Sequence, residues 1–308
     1  MKAFSFAAAL AGAALCGHAV AADLPSIAPP PPPPPVFSWT GAYLGANGGY
    51  IWGARNGVDS YGVAVIDKDP LFGATSALGV GNVAAPNLNG AFGGGQAGYN
   101  YQVSPRFVIG VEGDVQGTAV QGSEGRYRLL TVPNLPRYSI GTQTQVDRNI
   151  DYLATVRGRV GFAVLPDALL YLTGGLAFGR VSQRVTQTQS VYWAGSTNFP
   201  ADSDGFGFAA SQFAQTRVGW AAGGGVEWAF RGNWSAKLEY LYYDLGGVRS
   251  SGALAFDTNA APGPGSGGVG LVAVESRSRF NGHVLRAGLN YRLDFFRPPV
   301  APPVVATY

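Results

Sequence analysis

Eight stretches of this sequence switch between apolar and polar residues with a period of two, and the connections between them alternate strictly between short and long. A period of two belongs to extended strands whose two faces meet different surroundings. The expected strands run over Thr40–Trp52, Ala91–Val103, Phe107–Gln116, Asp151–Val164, Ala168–Arg180, Thr216–Phe230, Trp234–Asp244 and His283–Phe295. In the last of these, Leu285, Ala287, Leu289, Tyr291, Leu293 and Phe295 alternate with Arg286, Gly288, Asn290, Arg292 and Asp294.

Three connections are tight: Ser104-Pro105-Arg106, Leu165-Pro166-Asp167 and Arg231-Gly232-Asn233. Each carries the Pro, Gly or Asn chemistry of a turn. The other four, residues 53–90, 119–150, 181–215 and 245–282, are long and hold many Gly, Ser, Thr and Asn residues. They are expected to be flexible loops. Short turns at one end and long connections at the other are the topology of a transmembrane β-barrel. The fold expected is therefore all-β, an eight-stranded antiparallel up-and-down barrel. Short turns would face the periplasm and four long loops the outside.

The direction of the two faces follows from size and charge. One phase carries Glu112, Asp114, Glu227 and Glu239 against Arg157, Arg159, Lys237 and Arg286, four acids matched by four bases. Such a set can pair around a narrow axis. The opposite phase carries Trp220, Trp228, Trp234, Tyr240, Tyr242 and Tyr291, too bulky to share the interior of a small barrel. A soluble ligand-binding barrel would need these rings inside. Rings near strand ends suit membrane interfaces. Charged residues are only 13% of the chain, while Gly is 46 residues, which suits a sheet with one face in lipid. An interior of eight strands is just wide enough for side chains, so the eight charges are expected to plug the lumen. The competing reading makes them the gate of a small pore.

The ends differ from the middle. Lys2, an apolar run over residues 4–15 and Ala19-Val20-Ala21 have the form of a cleaved export signal over residues 1–21. Leu15 before Cys16 does not suit lipoprotein processing, and Cys16 is the chain's one cysteine, so no disulfide is expected after cleavage. Residues 22–38 form a proline-rich segment with seven consecutive prolines, Pro29 to Pro35, expected to be a stiff polyproline spacer in the periplasm. The barrel is assigned to 39–296 and a second proline-rich tail to 297–308. A net charge of +3, with no dense Lys/Arg run, gives no reason to expect a nucleic-acid partner.

Several motifs resemble a known group. Ala22-Asp23-Leu24-Pro25, the run Trp39-Thr40-Gly41-Ala42-Tyr43-Leu44-Gly45-Ala46, and Leu170-Tyr171-Leu172-Thr173-Gly174-Gly175-Leu176-Ala177-Phe178-Gly179 carry the likeness. The chain resembles the small outer-membrane β-barrels of alphaproteobacteria, the OmpA-like transmembrane domains called outer membrane immunogenic or porin-family proteins. Gly288, Tyr291, Leu293 and Phe295 resemble the assembly signal of such barrels. The resemblance implies an outer-membrane location, outer-membrane lipid and lipopolysaccharide as surroundings, and the barrel-assembly machinery and periplasmic chaperones as partners. The long proline run and the tail after Phe295 depart from the family pattern.

Other motifs carry less. Gly93-Gly94-Gly95-Gln96-Ala97-Gly98 fits a dinucleotide fingerprint in letters, but its glycines run into a strand rather than a helix. His283 is the one histidine after the signal, expected at the extracellular end of the eighth strand. It supports neither a usual transition-metal shell nor, beyond a conceivable Ser/His pair, catalysis. Asp202-Ser203-Asp204-Gly205 lacks the later ligands of a calcium loop and is expected to be a solvated turn. The chain is accordingly expected to be a monomeric, non-enzymatic, structural and surface-exposed barrel without cofactor, metal or catalytic residues. A small porin and an outer-membrane hydrolase are the alternatives.

Overall fold

The computed structural model describes residues 37–66, 70–193, 203–257 and 269–293. The expected signal, the first proline-rich segment up to residue 36, the second proline-rich segment, Asp202 and Phe295 lie outside the described residues. In chain order the elements are β1 (Gly41–Gly53), β2 (Val58–Ile66), α1 (Pro70–Val80), β3 (Asn82–Ala84), β4 (Asn89–Gln102), β5 (Phe107–Val132), β6 (Leu135–Leu165), β7 (Ala168–Trp193), β8 (Ser203–Arg231), β9 (Trp234–Asp257) and β10 (Val269–Arg292). Neighbours pair antiparallel in the order β1-β4-β5-β6-β7-β8-β9-β10, and β10 pairs again with β1 from Tyr43↔Arg292 to Gly53↔Gly282. The ladder of eight thus returns to its start, which leaves no open strand edge in the lower half among the described residues.

The expected strands correspond to β1 and β4–β10, and the three tight turns stand where expected. The long connections do not remain loops. β5 to β10 each run 24 to 31 residues, because the ladders continue well past the expected ends. The expected 119–150 loop is a hairpin of β5 and β6 that turns at Pro133-Asn134, with Asn134 at φ 61°. Much of 181–215 and 245–282 is likewise wall. Ser203–Gly205 belong to β8 rather than to a turn. His283 lies inside β10, far from the start of that strand, and so not at its extracellular end.

The connection after β1 departs most, for it holds two further strands and a helix. β2 pairs with the outer part of β10 from Val58↔Ser278 to Ile66↔Leu271, and β3 extends it through Val58↔Ala84. Above the membrane, β2 and β3 therefore occupy the side of β10 that β1 holds below. α1 lies on the inner side: Val80 packs with Leu254, Val272 and Val274, and Phe72 with Val132, Ile140 and Val191. Gln189 Nε2 donates to the Ser76 carbonyl at 2.8 Å and Gln187 Nε2 to the Val80 carbonyl at 3.1 Å. Arg128 Nη1 donates to the carbonyls of Leu78 (3.2 Å) and Gly81 (2.6 Å), satisfying groups that a helix C-terminus leaves open.

The outward face of the lower half is apolar, including Leu172, Val160, Val111 and Leu289. Rings gather near its two borders. Phe107 meets Phe162 edge-on and Trp234 meets Tyr291 near the turns; Trp220–Tyr242 and Trp52–His283 lie towards the opposite border. Trp220 and Phe230 stand ten residues apart on β8. At about 3.3 Å per residue and a tilt of about 40°, that separation is roughly 25 Å, the height of the apolar band of such barrels.

Inside, the fill is layered. Trp39, Val108, Leu169, Tyr171 and Ala229 form an apolar layer near the turns. Charged groups occupy the middle. A larger apolar layer follows, including Ile51, Phe92, Leu153, Leu241, Tyr243 and Phe280. Above it Arg148 lies 4.1 Å over the Phe280 ring and donates to the carbonyls of Asn56 (3.2 Å) and Arg279 (2.7 Å). Val58, Ala84, Val146 and Val185 come next, and then α1 with its neighbours.

Candidate functional site: the charged centre of the barrel

Strand alternation places both charges of each pair on the inner face, and register sets the two side by side. Glu112 stands opposite Arg157, Glu239 opposite Arg286, and Glu227 opposite Lys237. All eight sequence-selected side chains, Glu112, Asp114, Arg157, Arg159, Glu227, Lys237, Glu239 and Arg286, are buried and joined in one network. Arg157 and Arg286 are its hubs. Arg157 donates to Glu112 Oε1 (2.7 Å), Asp114 Oδ2 (2.9 Å) and Glu239 Oε1 (2.7 Å). Arg286 donates to Glu239 Oε2 (2.5 Å), Asp114 Oδ2 (3.0 Å) and Glu112 Oε1 (3.1 Å). Lys237 Nζ donates to both oxygens of Glu112 at 2.7 and 2.8 Å. Arg159 Nη2 pairs with Glu227 Oε2 at 2.7 Å.

Neutral groups supply most of the remaining partners that buried charges require, while Arg159 Nε and the Tyr171 hydroxyl have none among the described residues. Tyr43 donates its hydroxyl hydrogen to Glu112 Oε2 at 2.7 Å and accepts from Arg159 at 3.2 Å. Arg159 also lies 4.0 Å over the Tyr171 ring. Thr155 and Gln116 donate to Asp114 at 2.7 and 2.9 Å. Ser235 and Asn290 donate to Glu227 at 2.6 and 2.9 Å, and Gln96 links Asn290 to Asn47 at 2.5 and 3.0 Å. Tyr43 and Tyr171 are the residues that charge pairing alone does not select. Both stand on the inner phase of their strands, which was the legible signal. Facing glycines make their room: a Cβ on Gly98 would lie 2.4 Å from the Tyr43 hydroxyl, and one on Gly225 would lie 2.8 Å from the Tyr171 hydroxyl.

Of the segment resembling an assembly signal, Gly288 lies inside, where a Cβ would meet Gln96 Nε2 at 3.0 Å and Lys237 Cε at 3.2 Å, while Tyr291 faces outward. Leu293 follows the end of β10 and is half-buried. Gly93–Gly98 run along β4 beside β1 and β5. His283 Nδ1 shares a 2.6 Å hydrogen bond with the Tyr240 hydroxyl, and its ring packs on Trp52, Tyr240 and Tyr242. Outside the membrane band, a 2.8 Å bond from Arg277 holds the Glu275 carboxyl below the usual glutamate range.

The profile of the outer membrane protein β-barrel domain matches residues 7–293. The chain belongs to that family. A 31 kDa outer-membrane immunogenic protein of Brucella melitensis is 30% identical over 291 residues, which cover 94% of this chain and 97% of the relative. The namesake from Brucella suis matches equally. Among solved structures, OprG from Pseudomonas aeruginosa is similar with a TM-score of 0.35 at 10% identity, covering 82% of this chain and 97% of its own. The attachment invasion locus protein Ail of Yersinia pestis follows with 0.26 at 14%, covering 82% and 99%. As a member of the family, with this closed ladder and apolar outer face, the protein resides in the outer membrane.

Proposed function

We propose that this family member is a non-enzymatic, structural outer-membrane barrel, monomeric and with a closed lumen, that holds a tall β-walled structure outside the cell. One observation carries the closed lumen: Arg157, Arg286, Lys237, Asp114 and Glu239 have side chains 0% exposed while bonded across the axis from β5, β6, β9 and β10. A conducting path would need these groups to face water. Apolar layers above and below the charges, with α1 in the outer half, add further obstacles. Buried charges paired across several strands in such a place fix the packing of the strands that carry them. The aromatic packing of His283 on the outward face supports the non-enzymatic reading.

Purified protein in planar bilayers tests this. The expected result is no discrete opening from the native chain. Stable openings in the native chain, with a conductance changed by Arg157→Ala, would make it a porin and overturn the closed lumen.

A further inference from the structure

Just above the apolar band, the outer wall is indented. A recess of about 900 Å³ is bordered by side chains of β5, β6, β7 and β8, together with Asn87 and Asn89. Two cross-strand rows form its floor. Asn89, Gln121, Asn149 and Ser182 stand in one, each opposite the next. Ser123, Asp147, Arg184 and Gln212 stand in the other. These positions have the outward phase of their strands, which is why the rows face away from the barrel axis. The register shifts at Gly117/Val120 on β5 and Ile150/Tyr152 on β6 lie directly below, where bulges bend the wall.

The chemistry of the rows is amide, hydroxyl and charge. Asp147 is engaged by Ser123 at 2.7 Å and Gln145 at 3.3 Å. Arg184 stands opposite Asp147 but forms no ion pair among the described residues; its Nη2 donates one long bond to Gln212 Oε1 at 3.4 Å. Amides that donate and accept at once match neighbouring sugar hydroxyls, and a guanidinium without a carboxylate partner matches phosphate. Three strand spacings of about 4.8 Å give a floor roughly 14 Å across, wide enough for a disaccharide.

Position selects the source of that chemistry. Tyr152 and Thr216, which share a 3.1 Å hydrogen bond, stand directly below the rows, and Tyr50 donates to Asn89 at 3.2 Å from the border ring layer. Arg180 stands in the same row, opposite Tyr152 and Thr216, and makes an exposed 3.2 Å pair with Asp151. The recess is therefore at the height of outer-leaflet headgroups. We propose that it seats the phosphorylated saccharide headgroup of an outer-leaflet glycolipid, with Arg184 on a phosphate and the Gln121, Asn149 and Gln212 amides on sugar hydroxyls. A phospholipid would leave most of those amides unmatched. The proposal rests on the outer-membrane seating of the barrel and not on the closed lumen, so conductance measurements leave it standing.

The test is native mass spectrometry of the full folded chain in detergent. Probes are rough-type lipopolysaccharide, the same lipid dephosphorylated, phosphatidylglycerol, the delipidated core oligosaccharide and inorganic phosphate. The expected result is at least a tenfold preference for intact lipopolysaccharide over phosphatidylglycerol. Dephosphorylation should remove about tenfold of the binding. So should Arg184→Glu, or Arg184→Gln if charge reversal hinders assembly, and Asn149→Ala with Gln212→Ala. Arg249→Glu, on β9 and outside the recess, should leave binding unchanged. Equal binding of phosphatidylglycerol, or indifference to the recess variants, overturns the proposal. Core oligosaccharide binding as tightly as the intact lipid would also overturn it, by making the recess a site for soluble glycans. Phosphate alone competing fully at equal concentration would reduce it to an adventitious ion only.

Discussion

Glu112 receives hydrogen bonds from Tyr43, Arg157, Lys237 and Arg286 on four different strands, so its carboxylate ties together more of the ring than any apolar side chain of its size could. Removing it leaves several cations facing one another without water. Loss of one partner from a buried ionic set costs about 3–5 kcal/mol, whereas an exposed pair contributes about 0–1 kcal/mol. Glu112→Ala should therefore lower unfolding free energy in detergent by an amount in the upper range. Asp151→Ala, which breaks the exposed pair with Arg180, should change it by less than about 1 kcal/mol. Equal effects in urea titrations followed by tryptophan emission would contradict the network's geometry. The acids and bases of this set were legible because period-two phase and opposite sign converge on the same face. Tyr43 and Tyr171 were obscured by their aromatic character, which suggests a lipid-facing ring until the facing Gly98 and Gly225 are seen to make space.

Among the elements, the membrane halves of the strands could be read because lipid on one side and packed polar groups on the other enforce alternation. The outer halves could not. From Thr142 to Asp147 on β6, inward Thr142, Thr144 and Val146 alternate with Gln143, Gln145 and Asp147, so polar residues occupy both phases and the period fades. Water outside permits polar residues there, and the inner face accepts them where α1 supplies partners. Helix α1 left a faint signal, with Pro70 at its first position and Gly81 just past its end. Its apolar residues lie on every side, with Phe72 and Val80 buried against the wall but Leu71 and Leu78 exposed, so no apolar stripe marks it in the sequence. Arg128 is the clamp that joins the C-terminus of α1 to β5, a seam without a backbone ladder. Hydrogen bonds to a charged donor contribute about 1.5–3 kcal/mol, so Arg128→Ala should raise local opening of α1 roughly tenfold or more. Limited proteolysis of intact cells should then show faster cleavage within residues 67–81, while the heat-resistant mobility of the folded barrel stays as in the native chain. Cleavage no faster than native would mean that the inner contacts of Ser76 and Val80 suffice to hold the helix.

At the scale of the molecule, the orientation of the wall decides everything else, and two tryptophans report it directly. Trp228 is 58% exposed on the outward face, its Nε1 bonded to Asp167 at 3.0 Å beside a tight turn. Trp39 is 3% exposed and sits in the apolar layer inside the ring, edge-on to Phe37. Both belong to the turn end of the barrel, so height differs little while side of the wall differs completely. Outward rings at the border of the apolar band meet lipid; inward ones meet only protein. Variants that keep a single tryptophan, the others replaced by phenylalanine, separate the two in vesicles containing brominated phosphatidylcholine. Emission from Trp228 should be strongly quenched, more by bromines near the headgroup than by those near the chain ends. Emission from Trp39 should be nearly unchanged by either lipid. A barrel turned inside out, with its charges on the surface and its rings within, would give the reverse, and no arrangement of the lumen network could then survive.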